Sequence, residues 1–395
     1  MPQSQGDAAN TTEKKFDFRR YLRREPVMLA VLTTLAVLFF LAVTGLSHIY
    51  YAQRESLGDR WFTRGTNDLQ QGHFDRAITE FRAALRYSRD DYSYQLNLAE
   101  ALLGLKRTGE AYSYLINLWD REPENGLVNL ELARIAAQEK KNEQALRYYH
   151  NAIYAIWPGN EEAPRRETRM ELIKYLLNIG AKAQAQAELI ALAANLEDDP
   201  GQQAMVADLF LQAGDYEHAL AEFRLSLKEQ PHSQVALAGA GAAAYELGRY
   251  SLAERYLKNA VSADPNDAAS AARLKTAELV VQLDPFQLQL SVAQRDRIVL
   301  QAFAAAGERL KSCSAKDAKT AATEPLQPGL AEDWVTMKPR ITEAGLRRDP
   351  DLVEKAMDLV FNIERQTERA PNSACGAPTD ADAALLLIAK LHESS

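Results

Sequence analysis

The stretches GDYEHALAEFRLSLKEQP (residues 214–231) and GRYSLAERYLKNAVSADP (residues 248–265) lie 34 residues apart and share one pattern. Each opens on glycine (Gly214, Gly248). Each then places a small residue (Ala219, Ala253) four positions before a large one (Phe223, Leu257), and closes on proline (Pro231, Pro265). A spacing of four puts the small and the large residue on one helix face. The small residue lets a neighbouring helix approach, and the large one fills the adjoining gap.

The period runs outward from these two stretches. Gly180, Ala185 and Leu189 repeat the pattern 34 residues earlier. A second set has the same period: Ala77, Ala111 and Ala145; Phe81, Leu115 and Tyr149; Ala84, Leu118 and Ala152. Six extra residues near Trp157-Pro-Gly-Asn-Glu-Glu-Ala-Pro164 separate the two sets. Six units result: 58–91, 92–125, 126–159, 166–199, 200–233 and 234–267. Each is two apolar helical segments split by a short turn. In the first unit Trp61, Gly65 and Leu69 line one helix face, and Gly72-His-Phe-Asp75 makes the turn. A fixed period of this length is the mark of a repeat architecture.

The pattern resembles the tetratricopeptide repeat. Leu98-Ala99, Leu132-Ala133, Val206-Ala207 and Ala240-Gly241 fill the small-residue pair of the family's first helix. The stretches at 214–231 and 248–265 match its second half almost throughout. The fourth unit departs from it, with Leu172-Ile173 and Lys182 at signature positions. The resemblance covers residues 58–267. It implies an all-α chain in which stacked helix pairs form an α-solenoid of about six repeats, because one pair cannot bury its apolar face alone. Residues 268–283 read as a further first helix ended by Pro285, and a helix at about 289–311 follows. Together 268–311 cap the stack. Residues 312–329 read as a loop, and short helices complete 312–395. One is capped by Asp349-Pro350 and striped by Leu352, Ala356, Leu359, Val360 and Ile363; the last is capped by Thr379-Asp-Ala-Asp382.

Ahead of the repeats, residues 27–46 (VMLAVLTTLAVLFFLAVTGL) carry no charge. Twenty such residues at about 1.5 Å rise make roughly 30 Å of helix, the thickness of a bilayer's hydrocarbon core. A transmembrane helix over 27–49 is expected. The rival reading is a cleavable signal peptide, but the run is long and Leu46-Ser-His-Ile-Tyr-Tyr-Ala52 is a poor cleavage site. Residues 1–26 hold Lys14, Lys15, Arg19, Arg20, Arg23 and Arg24 and read as a disordered basic tail that stays cytoplasmic. Tyr50 and Tyr51 suit the opposite interface. The repeats are therefore expected outside the cytoplasm, on the periplasmic face of a bacterial inner membrane.

The 395-residue chain carries a net charge of −8, which argues against nucleic acid as a partner. Its only cysteines are Cys313 and Cys375. In an oxidising compartment they can form a disulfide tying the C-terminal helices to the repeat cap; the alternative is two free thiols. The six histidines show no metal-ligand spacing, and no phosphate loop or nucleophile motif occurs. No catalytic residue, metal or cofactor is expected. The informative surface is the concave face of the first helices. Family members that grip a carboxylate tail use Lys, Asn and Arg there. Here the corresponding pairs are Phe62/Thr66, Leu96/Glu100, Leu130/Arg134, Met170/Lys174 and Ala204/Asp208. With Leu69, Leu103 and Tyr245 they make a mixed groove of apolar anchors and isolated charges, suited to a helix or extended peptide. The reading is a membrane-anchored interaction scaffold for a protein or peptide. A periplasmic chaperone or envelope-assembly factor, or a structural subunit of a membrane complex, are the alternatives.

Overall fold

The fold is taken from a computed structural model, which describes residues 18–157, 159, 162–196, 198–317, 329–369 and 375–393. Among these every regular element is a helix. The chain divides into two compact units at Thr168/Arg169. The expected tail of residues 1–17 lies outside the described residues. Residues 18–26, expected within that tail, are helical.

The first unit starts with α1 (Phe18–Gln70), 53 residues without a break. The apolar stretch expected as a separate helix over 27–49 is thus the front of a helix whose rear is the first helix of repeat one. The pairs continue with α2 (Phe74–Leu85), α3 (Tyr92–Gly104), α4 (Thr108–Arg121), α5 (Gly126–Gln138) and α6 (Asn142–Tyr154). α7 (Glu162–Asn178) crosses the unit boundary. Gly65 shows why the small positions matter. A Cβ there would stand 2.6 Å from the Phe81 ring, so α1 and α2 meet only because it is absent. Ala77, Phe81, Ala84, Leu98, Ala111, Leu115 and Leu118 are all fully buried. Trp157 stands nine residues before the second set of repeats begins, and its ring packs on Gly126 while Nε1 donates to the Ala152 carbonyl at 2.9 Å.

The second unit holds α8 (Lys182–Ala193), α9 (Pro200–Ala213), α10 (Tyr216–Glu229), α11 (Gln234–Glu246), α12 (Tyr250–Ala263) and α13 (Ala268–Leu283). α14 (Val292–Asp317) follows, starting and ending later than the expected 289–311. It continues into the expected loop; residues 318–328 lie outside the described residues. α15 (Leu330–Met337), α16 (Glu343–Arg348), α17 (Asp351–Arg369) and α18 (Asp380–Glu393) complete the unit. The apolar stripe of α17 is buried along its length. α18 packs on α13, α14 and α17. It runs parallel to α13, since Asp380 pairs with Lys275 and His392 lies 3.8 Å from Asp284.

Cys313 and Cys375 are bonded to each other and buried. Arg309, itself buried, lashes the same corner. Its guanidinium donates to the carbonyls of Cys375 and Gly376 at 3.2 Å and of Thr367 at 3.4 Å. Beside it Glu364 is pushed up to about 8 by burial and by the Asp382 charge, with Arg309 opposing. A carboxyl so placed is protonated at neutral pH and adds no second buried negative charge beside Asp382.

Two local signals repeat with the period of 34. Five first helices are capped by a side chain that accepts from their first turn: Asp91, Asn125, Asp199, Ser233 and Asp267. The turn inside each pair needs a left-handed residue. Glycine supplies it at Gly72, Gly180, Gly214 and Gly248, with φ of 71–79°. Lys106 (φ 60°) and Lys140 (φ 58°) occupy the same register in repeats two and three. A side chain in this region costs roughly 1 kcal/mol. Lys140→Gly should therefore stabilise the first unit by about 0.5–1 kcal/mol, and Gly72→Ala should destabilise it by a similar amount. Thermal unfolding reads both signs; a destabilised Lys140→Gly contradicts the assignment.

Candidate functional site

The first helix of each repeat presents one face to its counterparts in neighbouring repeats. In the first unit that face is carried by α1, α3 and α5. Phe62, Thr66, Leu69, Leu96, Glu100 and Leu103 are half-buried there, Arg134 likewise, and Leu130 is buried. Their availability differs. Phe62 stacks on Tyr94 at 4.9 Å and lies 5.8 Å from the Phe81 ring, so it is largely consumed by packing between α1, α2 and α3. The Tyr94 hydroxyl donates to Asp59 at 2.8 Å and holds that stack in place. The Thr66 hydroxyl donates to the Phe62 carbonyl of its own helix. Leu96, Leu103 and Arg134 keep part of their surface open.

A charged group sits among these residues. Glu131 on α5 is buried and takes an ion pair from Arg134, one turn along, at 2.6 Å. Glu100 on α3 faces it. Burial, and then the Glu131 charge, push the Glu100 carboxyl up to about 7. Near neutral pH this face therefore changes charge readily. Sequence reasoning found Glu100 and Arg134 but missed Glu131. Its position is neither of the two positions per repeat that the sequence names, and only the fold brings it near Glu100.

Tyr245 belongs to the second unit and is not gathered with the others. It is half-buried, meets Tyr250 edge-on at 5.3 Å, and lies within hydrogen-bonding reach of Thr276. Its helix, α11, reads QVALAGAGAAAYE and is nearly without side chains. At Gly239 and Gly241 a Cβ would collide with Phe223 and Leu257. The positions equivalent to Leu96 and Glu100 are Ala238 and Ala242 here, and Ala204 and Asp208 on α9. This face is a smooth floor ending at Tyr245, which suits close approach of another backbone rather than a charged clamp. No group of three or more His, Cys, Asp or Glu arranged to hold a metal occurs among the described residues.

Residues 62–119 match one model of the tetratricopeptide repeat, and residues 210–278 match a second. No curated protein matches the chain. Among solved structures it is similar to YrrB, described as a TPR protein with an unusual peptide-binding site, at 14% identity and a TM-score of 0.40 over 49% of this chain and 96% of that one. It is similar to PilF of Pseudomonas aeruginosa at 17% identity and a TM-score of 0.40, over 56% of this chain and 97% of that one. A third is the C-terminal part of a TPR repeat-containing protein from Cytophaga hutchinsonii, at 13% identity and a TM-score of 0.44 over 60% and 92%.

Glu100 gives this face a pH signature. Its carboxyl is protonated in the folded chain up to about pH 7 and loses its proton at about 4.5 once unfolded. Its share of stability is complete below 4.5 and is lost as the pH rises through 7. Glu100→Gln should remove that share of the decline, so that Tm at pH 8 rises by a few degrees relative to the parent chain, at roughly 2–4 °C per kcal/mol. Equal slopes of Tm against pH in the two proteins contradict the assignment.

Proposed function

We propose that this tetratricopeptide-repeat protein is a membrane-anchored scaffold that holds a protein or peptide partner against the first-helix faces of its repeats. Such repeats are protein-interaction modules and are typically non-catalytic. The observation that carries the reading is the continuity of α1. Met28–Gln70 has a window of mean hydropathy 2.4, none of it buried, and the same helix ends as the first helix of repeat one. An apolar surface of that length has no cover among the described residues, and a bilayer covers it. Length and composition fit a single-pass anchor or a signal sequence. The anchor reading is favoured because the apolar run is long and Leu46-Ser-His-Ile-Tyr-Tyr-Ala52 is a poor cleavage site.

The basic residues Lys14 to Arg24 put the N-terminus in the cytoplasm and the repeats beyond it, in a bacterial envelope on the periplasmic side. The bilayer is met through residues 27–46. On the repeats, Leu96, Leu103 and Leu130 supply apolar anchors, and Glu100 and Arg134 supply charge. Phe62, Thr66 and Leu69 contribute mainly the wall from which those side chains stand. Tyr245 serves the smooth floor of the second unit in the same way.

Photo-crosslinking in intact cells tests this. A reactive side chain at Leu96 or Leu103 should yield a discrete adduct with one partner. The same group at Tyr112, exposed on the second helix of repeat two, should not. Arg134→Glu should cut the adduct about tenfold, the effect of 1.4 kcal/mol at a binding centre. Equal adducts from Leu96 and Tyr112 contradict the groove.

A further inference from the structure

Away from the groove, the second helices of repeats one and two enclose a cavity of about 600 Å³ whose walls include Arg82, Arg86, Arg89 and Arg121. A neighbouring cavity of about 350 Å³ is lined by Tyr50, Arg54 and Arg86. Arg86 lines both. Five guanidinium groups border the two depressions, against a single carboxylate in their linings, that of Asp90.

Three of the five are engaged. Arg82 pairs with Glu110 at 3.1 Å. Arg121 donates to the Asp90 carbonyl and lies over the Tyr92 ring. Arg54, half-buried, donates to the Arg86 carbonyl at 3.3 Å, which ties α1 to the end of α2. Arg86 and Arg89 have no ion pair among the described residues, and both are exposed. Unpaired guanidinium groups around a concave surface are suited to bidentate recognition of phosphate.

Position decides which phosphate. Tyr50 and Arg54 are one helical turn apart on the unbroken α1, about 6 Å along its axis. Tyr50 closes the apolar segment at the level where aromatic side chains meet lipid headgroups. The headgroup layer is roughly 5–8 Å thick on each side. A continuous helix has no slack, so Arg54, and Arg86 bonded to it, stand at headgroup depth.

We propose that Arg54, Arg86 and Arg89 form a binding site for the phosphate of an anionic phospholipid in the bilayer that α1 crosses. The site rests on the reading of α1 as a span. It holds the base of repeat one against the membrane surface and fixes the direction in which the repeats leave it. Arg86 and Arg89, which carry no ion pair among the described residues, are each expected to contribute about fivefold to the preference for anionic lipid.

The test uses the full-length chain in detergent, given equal amounts of phosphatidylglycerol and phosphatidylcholine, with retained lipid counted by native mass spectrometry. Phosphatidylglycerol should be retained over phosphatidylcholine by about tenfold or more, and Arg86→Gln with Arg89→Gln should abolish the preference. Circular dichroism of the double variant should match the parent chain, since both side chains are exposed. Equal retention of the two lipids overturns the proposal. So does a preference that survives in the double variant, because the cluster Lys14 to Arg24 at the other end of the segment is then its source. Displacement of the lipid by an equal concentration of inorganic phosphate marks a site for free anions and also overturns it. Flotation with neutral phosphatidylcholine vesicles separates the two readings. A chain that floats without lipid preference loses the headgroup site alone; a chain that does not float loses the span and the headgroup site together.

Discussion

The backbone hydrogen-bond ladder of α1 is the constraint on which the rest depends. It runs from Phe18 to Gln70 and joins an uncovered apolar surface to the core of repeat one. No flexible linker of the kind that decouples a domain from its anchor intervenes. Gly65 then admits the Phe81 ring, and Phe62 stacks on Tyr94, so α1 is gripped by α2 and α3. Whatever fixes the direction of the apolar segment also fixes the direction of the first repeats. The open faces of α3 and α5 are thereby set at a defined height above the end of that segment.

Much of the repeat region was legible in the residues. Small and large side chains at a spacing of 34 mark where helices meet, and those contacts are the ones that are buried. The left-handed turns were legible only where glycine fills them. Lys106 and Lys140 adopt the same conformation through their surroundings, which no local pattern reveals. The continuity of α1 was hidden for a different reason. Between Leu46 and Leu57 the pattern changes from uniformly apolar to amphipathic, and such a change reads as a boundary. Nothing in that stretch breaks a helix: no proline occurs there, and its residues are tolerated in helices.

The first-helix face was legible as positions but not as roles. The repeat register names Phe62, yet its ring is spent on neighbours from two other helices. The register also names Glu100, yet its unusual proton affinity comes from Glu131, thirty-one residues on and one helix pair away. The C-terminal segment shows the same limit. The stripe of α17 was readable from its spacing. The corner where Arg309 gathers the carbonyls around the Cys313–Cys375 bond comes from groups more than fifty residues apart, and only the fold assembles it.

Spin labels placed one at a time from Gly45 to Trp61, in the full-length chain in bilayers, test the joined helix most directly. Oxygen accessibility and label mobility should follow an unbroken helical period of 3.6 residues through Ser47–Leu57, with accessibility falling smoothly as the helix leaves the hydrocarbon. A run of rapidly moving labels without that period between Leu46 and Gly58 would mean a hinge separates the apolar segment from the repeats, and the rigid coupling described above would be wrong.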